Sequence, residues 1–246
     1  MSGLNFKNKK VLVVGLGLHG GGVGTVKFLA KEGALITVTD LRSPKILKSS
    51  LEKLRKIENI SYVLGKHRLE DFLKADFVFK GPGVKPDSKF IIQAKKHGIP
   101  VINDIAIFLS RCPAKIIGVT GSRGKSTTAF LISKFLRTKN YPPASPNGLA
   151  FGGRGKLKTG RVWLAGNIRK SVLDLLPSLK KEDWVVLELS SFQLQDLADS
   201  GIRIKGRPEI AAITNIYPEH LNWHKYFKDY LNAKNNITSF QNKENY

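Results

Sequence analysis

The segment Gly118–Thr128 constrains the fold most, because it joins an apolar run to a helical pattern through a glycine-rich turn. It reads Gly-Val-Thr-Gly-Ser-Arg-Gly-Lys-Ser-Thr-Thr. A strand that ends in such a turn and leads into a helix directs backbone N–H groups and the positive end of the helix dipole at an anion. Lys125 can reach the β- and γ-phosphates, and the Ser126 hydroxyl can coordinate Mg²⁺. The segment therefore predicts a nucleotide-binding α/β domain.

The segment departs from the general phosphate-loop pattern at its first glycine. Gly124, Lys125 and Ser126 fit the pattern, whereas Val119 occupies the position of the first glycine. Two interpretations are open: a variant phosphate loop with the order Thr-Gly-x-x-Gly-Lys-Ser-Thr, or a tight turn whose lysine is merely solvated. The strand and helix patterns on either side favour the first.

A second glycine-rich turn lies near the amino terminus. The apolar run Val11–Val14 precedes Gly15–Gly20, and a helical pattern and a strand closed by Asp40 follow. Such a βαβ unit, with an acidic residue about twenty positions on, is typical of dinucleotide sites, although close helix packing requires the same glycines. Strands and helices alternate to about residue 105, which predicts a Rossmann-like open parallel sheet. His19 in this turn is either a ligand contact or a solvated loop residue.

Polar residues follow three predicted strands of the second half. Glu188 ends the run Trp184–Leu187, Asn167 ends an earlier run, and His220 comes just after Ile210–Thr214. Ligands bind at the carboxyl ends of strands in open α/β sheets, so Glu188 and His220 are candidate metal ligands. Alternatively, Glu188 caps the helix that follows it.

Composition excludes several classes of protein. The single cysteine, Cys112, allows no disulfide within the chain, and no apolar run is long enough to span a membrane. The net charge of +22 favours anionic ligands such as nucleotides. The basic residues are scattered, and no aromatic stripe accompanies them, which argues against nucleic acid. The composition therefore predicts a protein of a reducing compartment, the cytoplasm, without a nucleic-acid or membrane partner.

The length of 246 residues predicts two domains. Residues 1–105 would form the Rossmann-like domain and residues 106–246 the phosphate-loop domain. Within the second half, a long loop is predicted over 141–160. Two helices are predicted there as well, over Ser171–Leu179 and Tyr226–Phe240.

Five segments, in order, resemble the motifs of the Mur ligases. They are Thr-Gly-Ser-Arg-Gly-Lys-Ser-Thr at 120–127, Gly-Asn-Ile at 166–168, Leu-Glu-Leu-Ser-Ser-Phe-Gln-Leu at 187–194, Asn-Ile-x-Pro-Glu-His-Leu at 215–221 and Tyr-x-x-Ala-Lys at 230–234. The resemblance covers the whole chain. It is strongest to the members that add D-glutamate to UDP-N-acetylmuramoyl-L-alanine, and the Gly-Leu-Gly turn and the Glu-Leu-Ser-Ser-Phe-Gln-Leu stretch discriminate them.

The resemblance implies an ATP- and Mg²⁺-dependent amide ligase of peptidoglycan precursor synthesis, a monomer that acts through an acyl phosphate. The implied ATP-binding residues are Gly121, Ser122, Arg123, Gly124, Lys125, Ser126 and Thr127. The implied metal ligands are Ser126, Glu188 and His220, and the implied catalytic residues are Lys125, Lys234 and His220. The implied substrate-binding residues, which contact the uridine diphosphate and muramoyl parts, are Leu18, His19, Asp40, Arg42, Gly81, Pro82, Gly83, Asn167 and Ser190.

Lys234 matches the lysine that the family carries as a carbamate. A lysine that faces Mg²⁺ is disfavoured as a cation, so its pKa falls and the neutral amine can add CO₂. The alternative is an ordinary lysine on a solvated helix face.

The chain departs from the family in two respects. Arg123, Arg169 and Glu219 stand where Asn, Gly and Asp are usual, and none of these changes removes a type of ligand. The chain ends at Tyr246, before the rest of the central domain and the C-terminal domain of the family. The resemblance therefore implies a fragment of a longer gene product that completes no turnover by itself.

Three other functions are open at this point. One is another ligase of the Mur and folylpolyglutamate synthase superfamily, whose folylpolyglutamate branch generally lacks the N-terminal Rossmann-like domain. Another is a NAD-binding oxidoreductase built on Gly15–Gly20, which leaves Lys125, Glu188 and His220 unexplained. The last is a basic nucleic-acid-binding protein, which would show a steep salt dependence of DNA binding.

Overall fold

The computed structural model describes residues 4–140, 160–167, 171–200, 208–239 and 241, and the predicted loop over 141–160 lies outside them except for its last residue. The described chain is an α/β protein with two sheets, and every strand pairing in both sheets is parallel. The predicted fold class is confirmed.

The first half alternates five strands with five helices. The strands are β1 (Lys10–Val14), β2 (Leu35–Asp40), β3 (Ile60–Leu64), β4 (Phe77–Lys80) and β5 (Val101–Ile102). The helices are α1 (Gly21–Lys31), α2 (Pro44–Glu52), α3 (Leu69–Leu73), α4 (Lys89–Lys96) and α5 (Asp104–Arg111). The strand order is β3-β2-β1-β4-β5, so the direction of winding reverses between β1 and β4. Open α/β sheets bind ligands at such a reversal.

The central strands read as continuous apolar runs because helices cover both faces of a parallel sheet. In β1, Val11 and Val13 pack into one apolar cluster, and Leu12 and Val14 pack into another. All four side chains are about 99% buried. A fully buried valine or leucine contributes about 1.5–3 kcal/mol relative to an exposed one. This strand therefore anchors the glycine-rich turn that follows it.

The described residues of the second half form a four-stranded sheet. Its strands are β6 (Lys115–Thr120), β7 (Val162–Gly166), β8 (Trp184–Glu188) and β9 (Ile210–Ile213), in the order β7-β8-β6-β9. Its helices are α6 (Lys125–Asn140), a 3₁₀ helix (Val172–Ser178), α7 (Ser191–Ala198) and α8 (Phe227–Asn235). Strand β6, which carries the predicted phosphate loop, lies between β8 and β9, so loops from both neighbours reach its carboxyl end.

Two predicted helices differ from those observed. The segment 171–179 forms a 3₁₀ helix rather than an α-helix, and Pro177 inside it lacks the N–H that an α-helix would use. The last helix ends at Asn235, followed by turns over 236–239, because consecutive asparagines are weak helix formers. Phe240, the predicted end of this helix, lies outside the described residues.

The two halves pack directly against each other. Helix α1 approaches the 3₁₀ helix at Gly24, where any side chain would collide with Ser171. One apolar cluster includes residues of both sheets and of α5. The predicted domain boundary between residues 105 and 106 falls within α5 and stays a prediction.

Candidate functional site at the carboxyl edge of the second sheet

The turn between β6 and α6 requires glycine at two positions. Gly121 has φ of 147°, and a side chain there would collide with the Thr214 hydroxyl. Gly124 has φ of 78°, in the left-handed region that favours glycine. Helix α6 begins at the next residue, Lys125. The N-terminus of a 16-residue helix therefore lies at the carboxyl end of β6, as an anion site requires.

Two residues after β9 hold this loop from the side. The Asn215 carbonyl accepts from the Ser122 N–H at 2.9 Å, and its side-chain oxygen accepts from the Arg123 N–H at 2.9 Å. The Asn215 amide group and the Thr214 hydroxyl both donate to the Arg123 carbonyl, at 3.1 Å and 2.7 Å. The backbone of Arg123 is thus engaged within the protein, and its exposed side chain is the part left for a ligand.

Two lysine side chains converge on one backbone oxygen of the loop. Lys125 Nζ donates to the carbonyl of Gly121 at 2.9 Å and to that of Ser122 at 2.7 Å. Lys234 Nζ, from α8, donates to the same Gly121 carbonyl at 2.6 Å. The Lys234 side chain is 2% exposed and lies 4.6 Å from the centre of the Tyr230 ring. Burial, together with the nearby charge of Lys125, lowers the pKa of Lys234 to about 8.

The Ser122 hydroxyl also serves the loop itself. It accepts from the Tyr217 N–H at 2.9 Å, donates to the Tyr217 carbonyl at 3.1 Å and lies 2.7 Å from the Tyr230 hydroxyl. A hydroxyl has one proton and two lone pairs, so these three contacts use its capacity. The structure therefore gives Ser122 a role in holding the loop, and its predicted contact with ATP stays a prediction.

Glu188 ends β8 beside the loop, opposite Val119 of β6 and Gly166 of β7. Its side chain is 3% exposed, and its Oε2 is buried without a hydrogen-bond partner within the described part of the chain. A buried carboxylate oxygen is costly unless it is paired or ligates a metal. Glu188 therefore fits a divalent cation. Asn167, which is exposed, is held nearby because its N–H donates to the Glu188 carbonyl at 3.1 Å.

Ser190, and not Glu188, caps the helix that follows. It is the N-cap of α7, accepts from the Gln193 N–H at 3.2 Å and donates to Gln193 Oε1 at 3.1 Å. The alternative that assigned this cap to Glu188 is wrong, because a carboxylate at the strand end precedes the cap by two residues. Ser190 is half-buried at the same edge as Glu188.

His220 lies on the loop after β9. Its backbone is in the left-handed region with φ of 56°, and its side chain is 45% exposed. Its ring lies 4.9 Å from that of Phe192 and 6.3 Å from that of Tyr230. Because the Tyr230 hydroxyl contacts the phosphate loop, His220 belongs to the same edge of the sheet. The nearby His224 is buried against the Ser191 hydroxyl at 3.0 Å, as a packing residue.

The predicted metal ligands form a sparse set. In the ranges that the structure describes, no group of three or more His, Cys, Asp or Glu side chains could hold a metal. Ser126, Glu188 and His220 offer a hydroxyl, a carboxylate and an imidazole. Mg²⁺ keeps several waters and takes phosphate oxygens, so it requires only one or two carboxylates from the protein. The set fits Mg²⁺ bound together with a nucleotide, and it does not fit a structural zinc site.

A second cluster of predicted residues lies at the switch point of the first sheet. Asp40, 2% exposed at the end of β2, accepts from the Gly17 N–H at 3.2 Å and from the Arg42 N–H at 2.9 Å. Its carboxylate thus fixes the first glycine turn, while Leu18 and His19 within that turn are exposed.

The turn after β4 packs against the first glycine turn. The Gly81 N–H donates to the Val14 carbonyl at 2.9 Å. A side chain at Gly81 would lie 3.0 Å from the carbonyl oxygens of Val14 and Gly15, a tight contact that would require a small shift of the backbone. Pro82 and Gly83 are exposed beside it. The two turns thus form one surface at the reversal of strand order.

Comparison with known proteins agrees with this geometry. Residues 9–103 match the model of the Mur ligase MurD-like N-terminal domain, and residues 119–246 match that of the Mur ligase middle domain. No helix within the described parts of the chain has both the length and the apolar character to cross a bilayer.

Similar full-length proteins carry the name UDP-N-acetylmuramoylalanine–D-glutamate ligase. The one from Roseiflexus sp. (strain RS-1) is 40% identical over 238 residues, which are 97% of this chain and 46% of that protein. The one from Borreliella afzelii (strain PKo) is 40% identical over 232 residues, 94% of this chain and 45% of that protein. The chain thus spans less than half the length of these relatives.

A solved structure has the same fold. It is UDP-N-acetylmuramate:L-alanyl-gamma-D-glutamyl-meso-diaminopimelate ligase from Neisseria meningitides, with a TM-score of 0.50 and 16% identity. The match covers 97% of this chain and 70% of that one. The matched domain models, which together span most of the sequence, lead to one conclusion: the chain belongs to the Mur ligase family.

Proposed function

We propose that this chain binds Mg²⁺–ATP and UDP-N-acetylmuramoyl-L-alanine for the ATP-dependent addition of D-glutamate in peptidoglycan precursor synthesis. The observation that carries the proposal is the buried Oε2 of Glu188, which has no hydrogen-bond partner among the described residues and lies beside a loop that presents Lys125. A cation site and an anion site share one sheet edge, which suits a metal–triphosphate. The names of the relatives supply the substrates.

The chemistry brings two anions together. The carboxylate of the L-alanyl group attacks the γ-phosphorus of ATP, and ADP leaves as the acyl phosphate forms. The amine of D-glutamate then attacks the acyl carbon through a tetrahedral intermediate, and phosphate leaves. Bound Mg²⁺ would neutralise phosphate charge, held by Ser126, Glu188 and His220.

The lysines and the loop provide the rest of the electrostatic stabilisation. Lys125 would release its two carbonyl contacts to bind phosphate oxygens, and the amides at the start of α6 would bind them as well. The exposed side chain of Arg123, where the family usually has Asn, would add positive charge. Gly121 and Gly124 would let the backbone approach the phosphates, and Thr127 would help to hold them.

Lys234 would act as a carbamate. With its pKa near 8, a substantial fraction is neutral at physiological pH, and the free amine can attack CO₂ with loss of one proton. The resulting anion would lie close to the Lys125 cation and to the proposed Mg²⁺. Lys234 would then contribute negative charge that orients the metal rather than a direct phosphate contact.

The muramoyl nucleotide would extend from the first sheet to the second. The surface of the two glycine turns, with Leu18, His19 and Arg42, would bind the uridine diphosphate end, because it lies at the switch point of an open sheet. Asp40 would position that turn through Gly17. Asn167 and Ser190 would bind the part of the substrate nearer its reacting carboxylate.

Calorimetric titration of the 246-residue chain tests the proposal. We expect a non-hydrolysable ATP analogue to bind only with Mg²⁺, and UDP-N-acetylmuramoyl-L-alanine to bind at a separate site. NADH and duplex DNA at low salt are the control ligands for the oxidoreductase and nucleic-acid alternatives. Tight NADH binding without binding of the ATP analogue would refute the proposal. We also propose that the protein is a cytoplasmic monomer, and light scattering of the 246-residue chain measures its oligomeric state.

A further inference from the structure

A buried ion pair joins the two proposed substrate surfaces. Lys80, the last residue of β4, lies with its Nζ 2.8 Å from Asp196 Oδ2 on α7. The two side chains are 2% and 8% exposed, so the pair is closed off from solvent. Lys80 belongs to the first sheet and Asp196 to the second half of the chain. Neither residue takes part in the proposed chemistry.

The same ammonium group closes the turn that follows β4. Lys80 Nζ donates to the Val84 carbonyl at 2.6 Å and lies 5.4 Å from the centre of the Trp223 ring. The Val84 N–H donates back to the Gly81 carbonyl at 3.0 Å. The turn 81–84 is therefore held at one end by β4 and at the other by the side chain of Lys80. The Lys80 ammonium group therefore connects the end of this turn to α7 through Asp196.

Helix α7 occupies a defined place on the other side. Its N-cap, Ser190, comes two residues after Glu188, and the helix leads from the proposed metal site to Asp196. A displacement of Asp196 along or around the helix axis would therefore move the glycine turn relative to Ser190.

We propose that the buried Lys80–Asp196 pair is a positioning device, which fixes the glycine turn 81–84 against α7 so that both ends of the muramoyl nucleotide are bound in register. The proposal rests on the proposed function for the identity of the ligand. Lys80 and Asp196 are positioning residues, because they act through the turn and the helix.

The physics of buried charge supports a role beyond stability. Burying two charges costs solvation that their attraction only partly offsets, so a buried pair is often replaceable by apolar residues without loss of stability. Burial raises the pKa of Asp196 to about 6, and the charges of Lys80 and Lys95 oppose that rise while Asp199 adds to it. Above that pH the Asp196 carboxylate is ionised and can hold the Lys80 ammonium group in position against the Val84 carbonyl. An apolar pair of similar volume would fill the same space but would no longer hold the turn in this position.

Weaker contacts cross the same boundary and provide a matched control. Lys95 Nζ lies 3.7 Å from Asp199 Oδ2, and these side chains are 37% and 44% exposed. An exposed pair at this distance contributes little. Lys95→Met therefore removes one positive charge from the same boundary without altering the turn.

The first measurement compares ligand affinities of the 246-residue chain. We expect the double variant Lys80→Met with Asp196→Leu to keep its unfolding midpoint but to bind UDP-N-acetylmuramoyl-L-alanine about tenfold more weakly, by analogy with the loss of one charge-assisted contact. Its affinity for the Mg²⁺–ATP analogue should change less than twofold, and Lys95→Met should change neither affinity. Wild-type affinity of the double variant for the muramoyl nucleotide would overturn the proposal.

The second measurement needs no ligand. Amide hydrogen exchange of Gly81 and Val84 should accelerate about tenfold in the double variant while exchange along β8 stays unchanged, because only the turn loses its anchor. Unchanged exchange at both amides would overturn the proposal. If the double variant does not fold, the isosteric Asp196→Asn provides the same two readouts. Failure of the wild-type chain to bind the muramoyl nucleotide would refute the proposed function, and the exchange data would still decide the role of the pair.

Discussion

Lys234 donates a hydrogen bond to the carbonyl of Gly121 across 113 positions of sequence, at 2.6 Å. Lys125 donates to the same oxygen, so two ammonium groups share one acceptor in the loop between β6 and α6. Their mutual repulsion adds to the desolvation of Lys234 and favours its neutral form. One backbone carbonyl thus links the loop, the helix N-terminus and α8.

The depressed pKa of Lys234 predicts how stability depends on pH. The pKa falls from 10.5 in the unfolded chain to about 8 in the folded one, so the unfolded state binds more protons between these values. The free energy of unfolding should therefore rise with pH across this window, by about 3 kcal/mol in total, and the full penalty applies below pH 8. Denaturant unfolding of wild type and Lys234→Met at several pH values measures it. Lys228→Met, an exposed change on the same helix, should keep the rise of the unfolding free energy with pH. If Lys234→Met showed the same rise, the pH dependence would not come from Lys234.

Removing Lys125 should weaken nucleotide binding. We expect Lys125→Met to lose about 2 kcal/mol of affinity for the Mg²⁺–ATP analogue, the scale of a hydrogen bond to a charged group. In the complete reaction the barrier should rise by about 3–4 kcal/mol. Titration calorimetry measures the first effect, with the exposed Lys134→Met on the same helix as control. An equal loss in both variants would show a general charge effect instead of a specific contact.

Glu188→Gln separates metal binding from folding. One oxygen of the wild-type carboxylate is buried and finds no hydrogen-bond partner in the part of the chain that the structure describes, so a neutral amide should cost less in the absence of metal. We expect the variant to unfold at the same temperature as wild type or higher without Mg²⁺, and to gain no further stability from Mg²⁺ with the ATP analogue. Thermal unfolding with and without Mg²⁺ measures both effects. Glu182→Gln, on the exposed segment before β8, should respond to Mg²⁺ like wild type; a normal Mg²⁺ response of Glu188→Gln would argue against a metal ligand there.

The Ser122–Tyr230 contact predicts coupled effects on stability. Tyr230→Phe removes the 2.7 Å contact and should cost about 1 kcal/mol of unfolding free energy. Ser122→Ala removes the same contact together with two bonds to the Tyr217 backbone, and should cost about 2–3 kcal/mol. The double variant should cost less than the sum of the two, because both changes break the same bond. Tyr217→Phe is the control, because Ser122 bonds the backbone of Tyr217 and the Tyr217 side chain is exposed. Simple additivity would show that the two hydroxyls do not interact.

The two strained glycines of the loop should differ in their tolerance of alanine. Gly124→Ala meets no atom within 4 Å and should cost about 1–2 kcal/mol, the penalty of a left-handed alanine. Gly121→Ala would collide with Thr214 and displace the loop, so nucleotide binding should be lost. Unfolding and titration experiments on both variants check this order, and equal binding by the two variants would contradict it.

The sequence predicts strands well where they are buried on both faces. Val11–Val14 and Trp184–Leu187 were found because a parallel strand between two layers of helices reads as an unbroken apolar run. Helices α2 and α3 were not predicted. Helix α2 does carry apolar residues at helical spacing, because Leu47, Leu51 and Leu54 face the core, so the sequence contained a signal for it. Helix α3 has five residues with only Phe72 buried, which is too short for repeated apolar spacing.

The sequence predicts individual residues of the candidate site, but it does not predict which distant residues contact one another there. Lys125 follows a glycine turn and Glu188 ends an apolar strand, and these local patterns identify a sheet edge. The contacts of Asn215 with the loop and of Lys80 with Asp196 join residues that are remote in sequence, and one sequence carries no signal for such pairs. The capping role of Ser190 could have been found from Gln193 three residues later, since serine with glutamine at this spacing forms a capping box.

The absence of a side chain at Gly24 allows α1 to pack closely against the start of the 3₁₀ helix. Because a methyl group at Gly24 would collide with the Ser171 side chain, α1 and the start of the 3₁₀ helix lie in direct contact. A larger side chain at this one position, remote from the proposed phosphate site, should therefore push the proposed uridine-binding surface away from the proposed muramoyl-binding surface. The distance between the two proposed binding surfaces thus depends on a glycine that lies in neither of them.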